Sequence, residues 1–164
     1  MDQVKQPIIV LLIGNPGTGK TWTMLSLIKQ FKCVKRQRYG SIYFHASDDV
    51  VVAGKYDGSM FQGTDRLSMA VMKDYDKFIS IMAGKYVILE GDRFMNNKVI
   101  VHSCAPFIIK ITGDGADGRK HRGSKQTEQH LKRMATRNNN ITAHMEVAGS
   151  EEALNYISAI INKL

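Results

Sequence analysis

The most definite chemistry in this chain belongs to Gly14-Asn15-Pro16-Gly17-Thr18-Gly19-Lys20-Thr21, which satisfies the pattern GxxxxGK[ST] at every fixed position. Glycines in such a loop allow backbone conformations closed to other residues, so successive amides can turn toward one anion. The lysine then reaches the outer phosphates of a nucleoside triphosphate, and the hydroxyl of the following threonine suits Mg²⁺. Trp22 stands next in line, either packed on a sheet, the preferred placement, or close to the nucleotide. The segment reads as a site for a triphosphate donor.

A second set of side chains could serve an acceptor. Glu90-Gly91-Asp92-Arg93 follows the apolar run Tyr86 to Leu89. Glu90 or Asp92, with Asp92 preferred, could orient the waters of a Mg²⁺ ion. Asp57 and Asp65 flank a glycine-rich stretch, and either carboxylate could take the proton that an alcohol must lose on phosphorylation. Arg66 and Arg93 carry the forked donor geometry that grips phosphate oxygens in pairs. Gly113 to Ser124 holds four glycines and the basic cluster Arg119-Lys120-His121-Arg122. That composition makes a poor core and a good lid, placed at about residues 113–124.

These residues need a scaffold, and the hydrophobic pattern supplies one. Pro7 to Ile13, Ser41 to His45, Val50 to Tyr56, Tyr86 to Leu89, Phe107 to Ile111 and the weaker Ile141 to Val147 read as strands. Helical patterns cover Gly19 to about Phe31, Thr64 or Asp65 through Met72, Tyr75 to Met82, Phe94 to His102 and Lys125 to about Arg137. A last helix is capped by Ser150. Lys32 to Arg38 is a basic connection. Strand and helix alternate, which is the mark of an α/β protein with a parallel sheet.

Composition narrows the class. The 164 residues suit one domain, 1–164, and 43% hydrophobic with 23% charged residues is an ordinary globular mixture. The longest apolar run falls far short of the roughly 20 residues a membrane span requires, so a cytoplasmic protein without a membrane partner is expected. Cys33 and Cys104 lack metal-ligand spacing, and the scattered His45, His102 and His144 give no zinc pattern. The formal net charge of +8, from 23 Lys and Arg against 15 Asp and Glu, suits contact with phosphates, whether of a nucleic acid or of small nucleotides.

The loop alone fits many triphosphate users. No NKxD-like guanine motif is present, and the chain is short for a helicase or an oligomeric ATPase, which leaves a kinase. From Ile8 to about Arg137 the order of motifs resembles small P-loop kinases. Tyr86-Val87-Ile88-Leu89-Glu90-Gly91-Asp92-Arg93-Phe94 resembles thymidylate-kinase-like proteins, in which the Arg of an Asp-Arg pair helps hold the phosphoryl acceptor. Gly54-Lys55-Tyr56-Asp57-Gly58 and Gly63-Thr64-Asp65-Arg66-Leu67-Ser68-Met69-Ala70 resemble bacteriophage kinases, among them the 5-hydroxymethyluracil DNA kinases.

The resemblance implies a three-layer P-loop kinase fold with a mostly parallel five-stranded sheet flanked by helices. It implies ATP and Mg²⁺ as cofactors, DNA containing a modified pyrimidine as partner, and host cytoplasm as the location. Asp65 matches the base in the substrate segment of polynucleotide kinases, with Asp57 as its competitor. Arg119 and Arg122 match lid arginines that steady the transferring phosphoryl, a role Lys120 could share. A free deoxynucleoside monophosphate kinase is the alternative, and a non-catalytic nucleotide-binding switch is a further one.

Overall fold

The structure, a computed structural model, describes residues 3–58, 62–123 and 126–163, with the side chains of His121 and Arg122 outside the description. Along the chain come β1 (Ile8–Gly14), α1 (Lys20–Gln30), β2 (Lys35–Tyr39), β3 (Ile42–Ala46), β4 (Val50–Ala53) and α2 (Met72–Ser80). Then follow β5 (Tyr86–Glu90), α3 (Asn97–Ile100), β6 (Phe107–Ile111), α4 (Ala116–Arg122), α5 (Glu128–Asn140), β7 (Met145–Val147) and α6 (Ser150–Asn162). Single 3-10 turns lie at Thr64–Arg66 and Asp92–Phe94.

One sheet of seven strands has the order β2-β3-β4-β5-β1-β6-β7. The run β4-β5-β1-β6-β7 is parallel throughout, while β3 is antiparallel to both β2 and β4. Ile9 to Ile13 are at most 2% exposed, because a central parallel strand is covered on both faces and must be apolar at every position. One face packs Ile9, Leu11, Val87 and Leu89 under Tyr75, Phe78 and Ile79 of α2. The other packs Val10, Leu12 and Ile88 under Met24 and Leu27 of α1 and Ile157 of α6. The three layers are as expected, but the sheet is mixed and seven-stranded, and not the five-stranded one anticipated.

The strand with no counterpart among the runs read from sequence is β2. Lys35-Arg36-Gln37-Arg38-Tyr39 has no apolar alternation to announce it, because it lies at the sheet edge with four of its five side chains in solvent. Charge on an edge strand also discourages pairing with another chain. The hairpin turns at Gly40, whose φ of 56° favours glycine, and Ser41 donates from both N and Oγ to Asp74 Oδ2 at 2.9 and 2.6 Å. Those two bonds hold the Asp74 carboxyl below the usual range.

Other boundaries shift for local reasons. No helix runs from Thr64 to Met72: extended Leu67 ends the first turn and is buried with Val71. The stretch from Phe94 to His102 holds only the four-residue α3, capped where Asn96 Oδ1 accepts from Val99 N at 3.2 Å. The lid contains a helix, α4, hidden in sequence by left-handed Gly115 and Gly123 at its two ends. Helix α5 starts at Glu128, three residues later than expected, where Thr127 Oγ1 accepts from His130 N at 3.1 Å. Strand β7 is confined to three residues. Ser150 is the first residue of α6 and caps nothing with its side chain; Gly149 is the cap residue, and Glu152 accepts from Ala148 N at 2.8 Å. No helix among the described residues is long and apolar enough to cross a membrane.

Candidate functional site

The carboxyl ends of the parallel strands share one edge of the sheet, and β1 stands where the chain winds outward in both directions. Crevices at such switch points are where open α/β sheets take ligands. The loop Gly14 to Lys20 leaves β1 there and enters α1 directly, with Gly19 as the helix N-cap in the left-handed region. Gly17 (φ 91°) and Gly19 (φ 96°) make the turn, closed by Thr18 Oγ1 donating to Asn15 O at 2.8 Å. Lys20 Nζ folds back onto the loop, donating to Gly14 O at 2.7 Å and Asn15 O at 3.1 Å. Thr21 follows on the first turn of α1. Trp22 is 48% exposed and not packed on the sheet as preferred from sequence.

Strand β5 delivers the second group. Glu90 is its last residue, is 3% exposed, and pairs in register with Leu12 of β1, so it faces the α1 side of the sheet. Tyr56 donates its phenol to Glu90 Oε1 at 2.7 Å, and Thr64 Oγ1 donates to Glu90 O at 2.9 Å. Burial first, then Glu90 and the nearby charge of Asp65, push the Tyr56 phenol well above its ordinary value. His45 Nε2 accepts from Tyr56 N at 3.3 Å, and burial followed by Arg36 keeps that imidazole below its usual pKa and hence available as an acceptor.

The segment after β4 is fastened to this group. Lys55 and Gly63 exchange backbone hydrogen bonds of 3.0 and 2.6 Å, which brings Asp57, Asp65 and Arg66 to one rim beside the end of β5. Arg66 pairs with Asp57 at 3.2 Å, and Asp65 is exposed in the 3-10 turn. Arg93 Nε donates to Leu67 O at 3.3 Å, and its guanidinium stands 3.8 Å from Asp92. Asp92 also pairs with Arg137, which donates to Met95 O at 2.7 Å. Asp92 is thus held between two guanidinium groups, while Glu90 faces the loop side of the sheet.

The lid lies against the outside of the glycine loop. Arg119 donates to Pro16 O at 2.7 Å and also to Asp114 O, so its charge rests on backbone carbonyls. Asn15 Nδ2 donates to Gly113 O at 2.9 Å, and its Oδ1 accepts from buried Asn138 at 3.1 Å. The two backbones meet at glycines of the lid: a Cβ on Gly118 would stand 1.9 Å from Gly17 O, and one on Gly115 2.0 Å from Pro16 O. A cleft of about 270 Å³ between loop, lid and α5 is lined by Asn15, Pro16, Arg119 and Lys132. A larger groove of about 1000 Å³ lies at the opposite edge of the sheet, by Asp49, Val50 and Tyr86. It holds none of the candidate site residues.

The structure therefore brings Lys20, Glu90, Asp57, Asp65, Arg66, Arg93 and Arg119 to one edge, while the side chain of Arg122 is outside the described residues. Sequence reasoning missed Tyr56, His45 and Arg137. Each acts through a partner distant in sequence, and only the polar residues closing β4 and β5 hinted at them. No protein-family model, curated protein or solved structure gives a significant match to this chain.

Proposed function

We propose that this chain is an ATP-dependent kinase that transfers the γ-phosphoryl group to the hydroxyl of 5-hydroxymethyluracil carried in DNA. One observation carries the reading: the glycine loop with Lys20 and the rim with Asp57, Asp65 and Arg66 meet at the same sheet edge, on either side of Glu90. A donor and an acceptor bound there would face each other across the end of β5. The acceptor identity comes from the resemblance of the Asp57 and Asp65 segments to phage DNA kinases.

In the reaction the hydroxyl oxygen of the base attacks the γ-phosphorus, the bond from that phosphorus to the ADP oxygen breaks, and the hydroxyl proton passes to a carboxylate. Asp65 takes that role in preference to Asp57, which is committed to Arg66. Loop amides from Gly17 to Thr21 and the Lys20 ammonium hold the phosphates, once Lys20 leaves the carbonyls of Gly14 and Asn15. Arg66 and Arg93 orient the acceptor strand. No group of three or more metal-ligating side chains occurs among the described residues. One hydroxyl, Thr21, and one carboxylate, Glu90 or Asp92, fit Mg²⁺ that arrives with phosphates and keeps its waters. The ion would neutralise charge developing on the transferred group.

The test is a transfer assay with γ-labelled ATP against hydroxymethyluracil-containing DNA, unmodified DNA and free nucleoside monophosphates. Label in the modified DNA alone is the expected result. Label confined to free nucleotides would assign the small-nucleotide reaction instead, and nucleotide binding with no acceptor labelled would leave the switch.

A further inference from the structure

The face of the sheet that carries Glu90 continues past β4 onto an open platform. Arg36, Arg38, Tyr43 and His45 share it, since Arg36 pairs with His45 and Arg38 with Tyr43 across the hairpin. Helix α1 packs against β1, β4 and β5, and α6 against β6 and β7; no residue of β2 or β3 enters the core on that side. Three cations gather on one ring there. Lys55 Nζ lies 3.9 Å from the Tyr43 centroid, and the guanidinium carbons of Arg38 and Arg36 at 5.6 and 5.8 Å. Arg38 also donates to the Tyr43 hydroxyl at 3.2 Å. None of the three has a carboxylate at ion-pair distance among the described residues.

Like charges held so closely without counter-charge are stabilised by the ring's negative face and by a polyanion from outside. Edge protection alone explains the charges on β2, but not Lys55, which lies beyond the end of β4 and is bonded to Gly63 of the acceptor rim. Tyr56 joins the two regions, its amide on His45 and its phenol on Glu90.

We propose that Arg36, Arg38, Lys55 and Tyr43 form a docking platform for the phosphate backbone of single-stranded DNA, which leads the strand from the β2–β3 edge to the Asp65 rim. This rests on the reading that the acceptor is carried in a polynucleotide. A single strand is assigned because an aromatic ring set among cations on a sheet face suits an unpaired strand, whose base can bring its hydroxymethyl group to the rim with no second strand in the way. Three adjacent cations on a flat face suit a flexible backbone.

The test measures anisotropy of a labelled oligodeoxythymidylate of about twenty nucleotides across a salt series without ATP. Arg36→Gln, Arg38→Gln and Lys55→Gln together should weaken binding roughly tenfold or more and lower the log-log salt slope by about 2, at ~0.7 per phosphate contact on a single strand. An equal charge change elsewhere, Lys29→Gln with Lys73→Gln and Lys77→Gln on exposed helix positions, should leave most of the slope. If the triple variant does not fold by circular dichroism, Arg38→Gln alone should lower the slope by about 0.7. Unchanged affinity and slope would overturn the platform, as would tighter binding of a duplex of equal length. Platform-dependent binding with no phosphoryl transfer would refute the kinase and keep the platform; transfer with slope unaltered in the variant would do the reverse.

Discussion

Tyr56 and Tyr75 are both buried phenols, yet their hydroxyls differ in what they touch. Tyr56 donates to buried Glu90, whereas the hydroxyl of fully buried Tyr75 has no hydrogen-bond partner among the described residues. An unmade hydrogen bond in the interior costs more than a made one gains. Tyr56→Phe should therefore lower stability by about 1–3 kcal/mol, and Tyr75→Phe should leave it unchanged or raise it by up to about 1 kcal/mol, read from urea unfolding. Equal losses in the two variants would refute the contrast. At the loop, Lys20→Ala should reduce the proposed phosphoryl transfer by roughly 100-fold or more, because the cation that would meet the developing charge is lost. Trp22, the single tryptophan and half exposed beside that loop, should report nucleotide binding through its emission. Emission that ignores ATP in the parent protein would count against the placement of the nucleotide.

At the scale of elements, the lid depends on bare backbone. Gly118 has no left-handed φ to protect, so Gly118→Ala isolates the steric effect of one methyl against Gly17 O. Helix α4 should leave the loop, opening residues around Arg119 to protease cleavage at a cost of about 1–3 kcal/mol. Cleavage unchanged from the parent would show that the contact does not hold the lid. The same elements show what a sequence can reveal. Strands β1 and β5 were legible because burial on both faces leaves an unbroken apolar run, β6 because Lys110 alone interrupts one, and the glycine loop because its chemistry fixes both spacing and residue type. Strand β2 was illegible since an edge strand of Lys, Arg and Gln carries no apolar alternation, its charged side chains meeting solvent and the ring of Tyr43. Helix α4 was hidden because glycines that serve a close approach look like those of a loop. The rim of Asp57, Asp65 and Arg66 was readable as residues, but its attachment to Glu90 through Tyr56 spans 34 positions and left no local pattern.

For the whole molecule, burial sets an alkaline limit. The phenols of Tyr56 and Tyr75 are both raised, chiefly by burial, above the ordinary value of about 10. The folded chain keeps protons there that the unfolded chain has released, so their contribution is complete below about pH 10 and falls as pH rises past it. The melting temperature should drop steeply above that pH, and the drop should be smaller in the double Phe variant. An identical drop would assign the alkaline loss to other groups. The strand order sets a further constraint, on timing. Strand β1 is made before either of its neighbours, and its second neighbour, β6, is complete only at Ile111. A ribosome will therefore carry Ile9 to Ile13 as a greasy ribbon with no partner until β5 ends at Glu90 and with one bare edge until β6 ends at Ile111, and chains stalled short of Phe107 should bind a holdase chaperone and be cut by protease, whereas chains released whole should not.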